Sequence, residues 1–211
     1  MLEISKESGL DSNIIVKKMS PQVCPMALQI ARHQFTVGDY HRMVEAGILS
    51  PFDKVELIDG EVIQMSPIGS RHAGCVNRLN RLLNQKLGPT AIVAIQNPVR
   101  LNEFSEPQPD VCVLQGRDDF YASHHPTASD ILLIVEVADS TLEFDREVKR
   151  HLYESVNISE YWLVNLVDEE IEVYRQSETG KYSAASCYKR GEIIPVTVVE
   201  SFSIQVEEIL G

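Results

Sequence analysis

Ile131-Leu132-Leu133-Ile134-Val135-Glu136-Val137 is the stretch that decides the fold. Six of its seven residues are apolar, and it lacks the two-residue alternation of a strand with one wet face. Such a run is expected of a strand covered on both faces in the middle of a sheet. Glu136 is then an anomaly. A buried, unpartnered carboxylate costs several kcal/mol or gives up its charge, so it calls for a cation, a hydrogen-bond donor or a metal.

Downstream, Asp139-Ser140-Thr141 leads into a helix expected from about Glu143 to Glu154. Asp145, Lys149 and Tyr153 recur at four-residue intervals and so share one helix face. They could form a solvated edge, with an Asp–Lys pair worth about 0.3–0.5 kcal/mol. Alternatively, they point back at Glu136. Glu160 to Leu166 and Glu170 to Tyr174 read as further strands, with shorter β segments around 181–187 and 192–199 and a terminal turn near Glu207.

Upstream, Asp110 opens the apolar strand Val111-Cys112-Val113-Leu114, behind a proline-rich approach at Pro107 and Pro109. Strands are expected at 91–95 and 98–101, and a loop with one helical turn at 116–130. Ser70 is the expected cap of a helix carrying Ala73, Val76, Leu79, Leu83 and Leu87 on one side and stopped by Gly88. The exposed side of that helix is basic, with Arg71, Arg78, Arg81 and Lys86. Val55-Glu56-Leu57-Ile58 and Val62-Ile63-Gln64-Met65 flank Asp59-Gly60, a strong signal for a tight hairpin. Thr36-Val37-Gly38-Asp39 resembles a capping sequence for a short helix ended by Gly47. Residues 1–34 show no period and form an expected irregular arm; residues 35–211 form one domain. The order gives an α/β (α+β) fold, a mixed sheet flanked by helices.

The net charge of −12 argues against indiscriminate nucleic-acid binding, which wants a basic surface. Its distribution says more. Residues 66–102 hold five bases and no acid, whereas 103–145 hold ten acids and one base. A phosphate-binding surface beside a metal site would look like this, as would ordinary solvated faces. Cys24, Cys75, Cys112 and Cys187 are widely spaced and read as small buried apolar residues rather than a zinc cage or disulfide framework. His124 and His125 are adjacent, so they do not share a helix face as a zinc pair would. No run is long enough for a membrane span, no signal peptide is visible, and a phosphate-binding G-x-x-x-x-G-K-[ST] loop is missing. The expected location is cytoplasmic.

Asp110 and Glu136, at adjacent strand ends, form a natural site for Mg²⁺ or Mn²⁺, hard cations that favour oxygen ligands. Pro109-Asp110, the run Val135 to Leu142, Asp145-Arg146-Glu147-Val148-Lys149 with Tyr153, and Glu160 to Val164 together resemble the bacterial putative restriction endonuclease family. That family was long catalogued as a domain of unknown function, within the PD-(D/E)XK nuclease superfamily. Residues 56–61, Ser66-Pro67 and His72 extend the resemblance to roughly residues 35–200. It implies a restriction-endonuclease-like core and a metal-dependent DNA endonuclease, expected to act as a homodimer. Asp110 and Glu136 would ligate the metal, with the Val137 carbonyl as a third ligand and Glu56 as a further acidic site residue. The superfamily pattern expects lysine two residues after the acid, where this chain has Ala138. Lys149, on the following helix, is the replacement cation. His72 would contact phosphate or water, or be only a surface or packing residue, and Tyr153 would face the core with a hydroxyl that orients Lys149 or a site water. The basic residues Arg71, Arg78, Arg81 and Lys86 would hold the DNA backbone. The rival expectation is a catalytically inactive module that keeps the fold to bind DNA or protein.

Overall fold

The computed structural model describes residues 32–50, 52–199 and 201–211. The expected arm lies outside these residues except for its last three positions. His33–Gly211 packs as one unit around a six-stranded sheet. The strand order is β3 (Ala91–Ile95), β4 (Val111–Gln115), β5 (Ile131–Ala138), β6 (Glu160–Asn165), β7 (Glu170–Arg175) and β8 (Ser186–Lys189). All neighbours are antiparallel except β5 and β6, which run parallel, with Glu136 opposite Leu163. A parallel pair needs a crossover, and residues 142–155 supply it as a helix.

The run that includes Glu136 is the central β5, and its alternate residues enter two different cores. Leu133, Val135 and Val137 join α2 (Ser70–Leu87), whose Leu79 and Leu83 are fully buried. Each such leucine contributes about 1.5–3 kcal/mol by leaving water. The hairpin β9 (Ile193–Val196) and β10 (Phe202–Gln205), with α5 (Val206–Leu210), completes this layer. Ile134 and Ala138 face the opposite core, with Leu152, Tyr153, Tyr161 and Leu163.

The crossover helix has three parts: α3 (Leu142–Phe144), a π turn over Asp145–Lys149, and α4 (Arg150–Ser155). The wider turn, with the Arg150 amide donating to the Asp145 carbonyl, keeps residues 145, 149 and 153 on the face toward the sheet. β1 (Val55–Ile58) and β2 (Glu61–Gln64) form a separate hairpin, turned at Asp59 (φ 47°) and Gly60 (φ 77°). Positive φ at both positions is the type I′ geometry expected of Asp-Gly. The hairpin is pinned by reciprocal backbone bonds between Leu57 and Glu106. α1 (Val37–Glu45) begins with the expected capping box, Thr36 to Asp39.

Four local expectations change. Residues 98–101 form no strand: Arg100 makes only an isolated bridge to Thr127, and the Val99, Arg100 and Leu101 amides donate to Pro107, Pro126 and Ser105. The cap of α2 is Gly69, with Ser70 already inside the helix and no side-chain capping bond. Phe202–Gln205 is an additional strand paired with β9. Cys75 and Cys112 are buried, but Cys187 lies exposed on the edge strand β8, which has only one neighbour to cover it; Cys24 falls outside the described residues.

Candidate active site

Where β4 begins and β5 ends, antiparallel register brings Asp110 beside Glu136. The Asp110 amide donates to Glu136 Oε2 at 3.2 Å, and the Val137 amide donates to Asp110 Oδ2 at 2.9 Å. Each carboxylate therefore grips the other strand's backbone. Two further groups fix Asp110: His72 Nε2 lies 2.9 Å from Oδ2, and Gln96 Nε2 donates to Oδ1 at 3.1 Å. Glu136 Oε1 accepts from Lys149 Nζ at 3.0 Å and from the Tyr153 hydroxyl at 2.6 Å.

Lys149 gathers more acids. Its ammonium lies 3.1 Å from Glu56 Oε1 and 3.9 Å from Asp145 Oδ1. Glu56 Oε2 accepts from the Gln108 backbone N–H, and Asp145 Oδ2 accepts from the Thr141 hydroxyl. All five charged groups are at least nine-tenths buried, with Asp110 the most exposed at 9%. The helix face read from 145, 149 and 153 thus does turn back toward Glu136. Gln96, Gln108 and Thr141 were not legible as site residues; Gln96 sits at positive φ (51°) just past an apolar strand, the one local sign of a special position.

Burial and charge oppose each other here. Burial pushes the Glu136 carboxyl up to about 8, against the pull of Lys149 and with a further push from Asp110, Asp145 and Glu56. Asp145 is raised for the same leading reason. Burial alone would lower the Lys149 ammonium, but Glu136, Glu56 and Asp145 outweigh it and hold the lysine charged. Burial would raise Asp110 too, yet the His72 and Val137 hydrogen bonds bring it below the usual carboxylate range. The bond to Asp110 in turn raises His72. The cluster therefore keeps one firm cation, Lys149, and one firm anion, Asp110, while burial favours the protonated form of Glu136.

These residues form the floor of a cavity of about 430 Å³, whose lining also includes Gln64, Met65, Ile68, Asp139 and Phe144. Among the described residues, no three His, Cys, Asp or Glu side chains stand in a ready-made metal array. The donor chemistry nevertheless fits a cation that keeps most of its own waters. Glu136 Oε2 and Asp110 Oδ1 each have one protein partner, leaving each a lone pair, and both residues line the cavity. His72 Nδ1 is buried without a protein partner beside them.

The basic side of α2 is not part of this cavity. Arg71 donates to the Leu166 carbonyl at 2.9 Å and lies 3.6 Å from Glu169. Arg78 is half-buried, not exposed as expected: it donates to the Ile209 and Leu210 carbonyls and so satisfies the end of α5. Both line a separate cleft of about 170 Å³. Arg81 and Lys86 are exposed. No described helix is long and apolar enough to cross a membrane.

The family model described as Uma2, putative restriction endonuclease, matches residues 37–207. Among solved structures, a putative nuclease belonging to DUF820 from Anabaena variabilis shares the fold with a TM-score of 0.67. The two are 14% identical, over 83% of this chain and 97% of that chain. No curated protein matches. The match over most of its length means that this chain belongs to the Uma2 putative restriction endonuclease family.

Proposed function

We propose that the chain is a divalent-metal-dependent endonuclease that hydrolyses DNA phosphodiester bonds in the cavity between β4, β5 and the crossover helix. One observation carries this reading: Asp110, Glu136 and Lys149, from three elements, converge on one cavity floor with Glu56 beside them. Asp110 and Glu136, with the Val137 carbonyl, would hold Mg²⁺ or Mn²⁺. Such an ion offsets charge on phosphoryl oxygens and makes a nearby water easier to deprotonate.

The chain's own groups have distinct parts. Tyr153 and Lys149 hold Glu136 Oε1, which leaves Oε2 turned to the Asp110 side. Lys149 sets a fixed positive charge where negative charge grows on the phosphate, and Glu56 keeps the ammonium in place. His72 orients Asp110 through Oδ2. Arg71, Arg81 and Lys86 remain candidates for backbone contacts away from the chemistry, whereas Arg78 is occupied in the fold. A homodimer would let two sites meet two strands, and sedentary monomers across a dilution series in analytical ultracentrifugation would rule that out.

The test is nicking of supercoiled plasmid with titrated Mn²⁺ or Mg²⁺. Wild type should nick, and Glu136→Gln and Asp110→Asn should not; equal nicking by either variant would refute the assignment.

A further inference from the structure

The cavity is lined by two unlike sets of residues. Its floor is charged, while Ile63, Met65, Pro67 and Ile68, from β2 and the chain leading to α2, give it an apolar wall together with Phe144. Ile68 is 51% exposed although it is a large apolar side chain. Phe144 is half-buried, packed on the core below and turned along the cavity lining above.

The charges that face this space are ill suited to a long duplex. Its lining holds five carboxylates, from Glu56, Asp110, Glu136, Asp139 and Asp145, against His72 and a Lys149 already engaged by Glu56 and Glu136. Duplex affinity comes chiefly from neutralising backbone phosphates with free basic groups. Those on α2 lie elsewhere, and two of them are engaged with the protein's own carbonyls. At about 430 Å³ the cavity has the size of a small-ligand site, about 300–1,000 Å³. The residues assigned to the chemistry are, moreover, among the most buried of its lining.

We propose that this cavity admits one nucleotide out of the base stack, with its phosphate at the carboxylate floor and its base on the wall made by Ile63, Met65, Ile68 and Phe144. The preferred substrate is then single-stranded DNA, or an unpaired nucleotide within a duplex, and a closed, fully paired helix is a poor one. This inference rests on the nuclease reading. Base contact on an aromatic or apolar wall tolerates any sequence, so the preference is for structure and not for a base order. Extruding a paired base costs free energy that an already unpaired nucleotide has no need to spend.

Three labelled oligonucleotides of equal length test it: a single strand, a perfect duplex, and a duplex with a three-nucleotide bulge. Binding is read by fluorescence anisotropy without metal, and cleavage sites are mapped with Mn²⁺. The single strand and the bulge should bind about 10-fold more tightly than the perfect duplex, with cuts at unpaired nucleotides. Phe144→Ala should remove most of that preference. Phe144→Leu, which keeps the packing but loses the ring face, should remove part of it and guards against a folding defect. Equal binding of all three DNAs, or a preference untouched in both variants, would overturn the proposal. Cleavage of the perfect duplex at the rate of the single strand, still abolished by Glu136→Gln, would overturn it while leaving the nuclease reading intact. Tight single-strand binding with no cleavage under any metal would instead remove the nuclease reading and keep the base wall.

Discussion

The two sides of the central sheet solve different problems. The side under α2, α5 and the β9–β10 hairpin is nearly all hydrocarbon, with Leu79, Leu83, Val111, Val135, Trp162 and Ile204 at or near zero exposure. The side under the crossover helix buries tyrosines, and at one end it carries Glu136, Asp145 and Lys149 with Glu56 and Asp110 beside them. Hydrocarbon burial stabilises without fixing a chemistry, whereas buried acids crowded around one amine carry an electrostatic cost that a well-packed apolar core would avoid. The fold is held by one side and the reaction is assigned to the other, so substitutions on the two should separate stability from activity.

The largest expected separation comes from Glu136→Gln, which should lower Mn²⁺-dependent cleavage at least about 100-fold while the chain stays folded. Its stability profile should change shape as well. In the native chain the Glu136 proton is held to about 8, against an ordinary value of 4.5. Over that window the folded state binds more protons than the unfolded one, so stability falls as pH rises from 4.5 toward 8, by at most about 1.4 kcal/mol per pH unit. Urea melts between pH 5 and 8 should show this slope in wild type and a flatter one in the glutamine variant; identical slopes would contradict the buried-acid account. On the opposite side, Leu79→Ala should cost about 2–5 kcal/mol in the same melts and leave the cleavage rate per folded molecule unchanged. Lys149→Ala belongs to both columns. Removing the amine leaves Glu56, Glu136 and Asp145 facing one another, for a loss of about 3–5 kcal/mol at pH 8 and slowed cleavage. That loss should shrink as the pH is lowered and the acids take up protons. The smallest effect is expected for Tyr153→Phe. Loss of one hydrogen bond to Glu136 Oε1 should cost about 1 kcal/mol and move the acidic limb of the cleavage pH profile upward.

Much of this division was legible in residue order. The nearly continuous apolar run placed β5 at the centre, Asp59-Gly60 placed the first hairpin, and the spacing of 145, 149 and 153 put them on one helix face without deciding between solvent and Glu136. A carboxylate in a strand, however, is a weaker signal than it looks. Glu160 and Glu172 are as deeply buried as Glu136, yet Arg175 and Arg146 partner them, and neither lines the large cavity. What separates Glu136 is the company it keeps from β4, β1 and the crossover helix, and the longest contact of that cluster, Lys149 to Glu56, spans 93 residues of sequence. Gln96 and Gln108 stayed illegible for the same reason: each acts through a contact with a residue that sequence spacing does not bring near. The basic helix was misread in part because a charge run does not say which cations the fold itself uses, and Arg78 is used by the end of α5. Phe202–Gln205 was too short to announce itself before its partner β9 was known.

The π turn at Asp145–Lys149 has a consequence for tolerance to insertion and deletion. Ala138 is fully enclosed, so the place two residues past Glu136 offers no room for a long cationic side chain, and the amine must arrive from the helix. Its arrival depends on how many residues are wound between Thr141 and Tyr153. Each residue advances a helix by about 100°, and loss of one residue ahead of Lys149 in the widened turn would rotate Lys149 and Tyr153 together relative to Asp145 and Thr141. The centre is thus fixed by chain length as much as by residue identity. Drift in this family should therefore be freer in the side chains around the turn than in the number of positions within it.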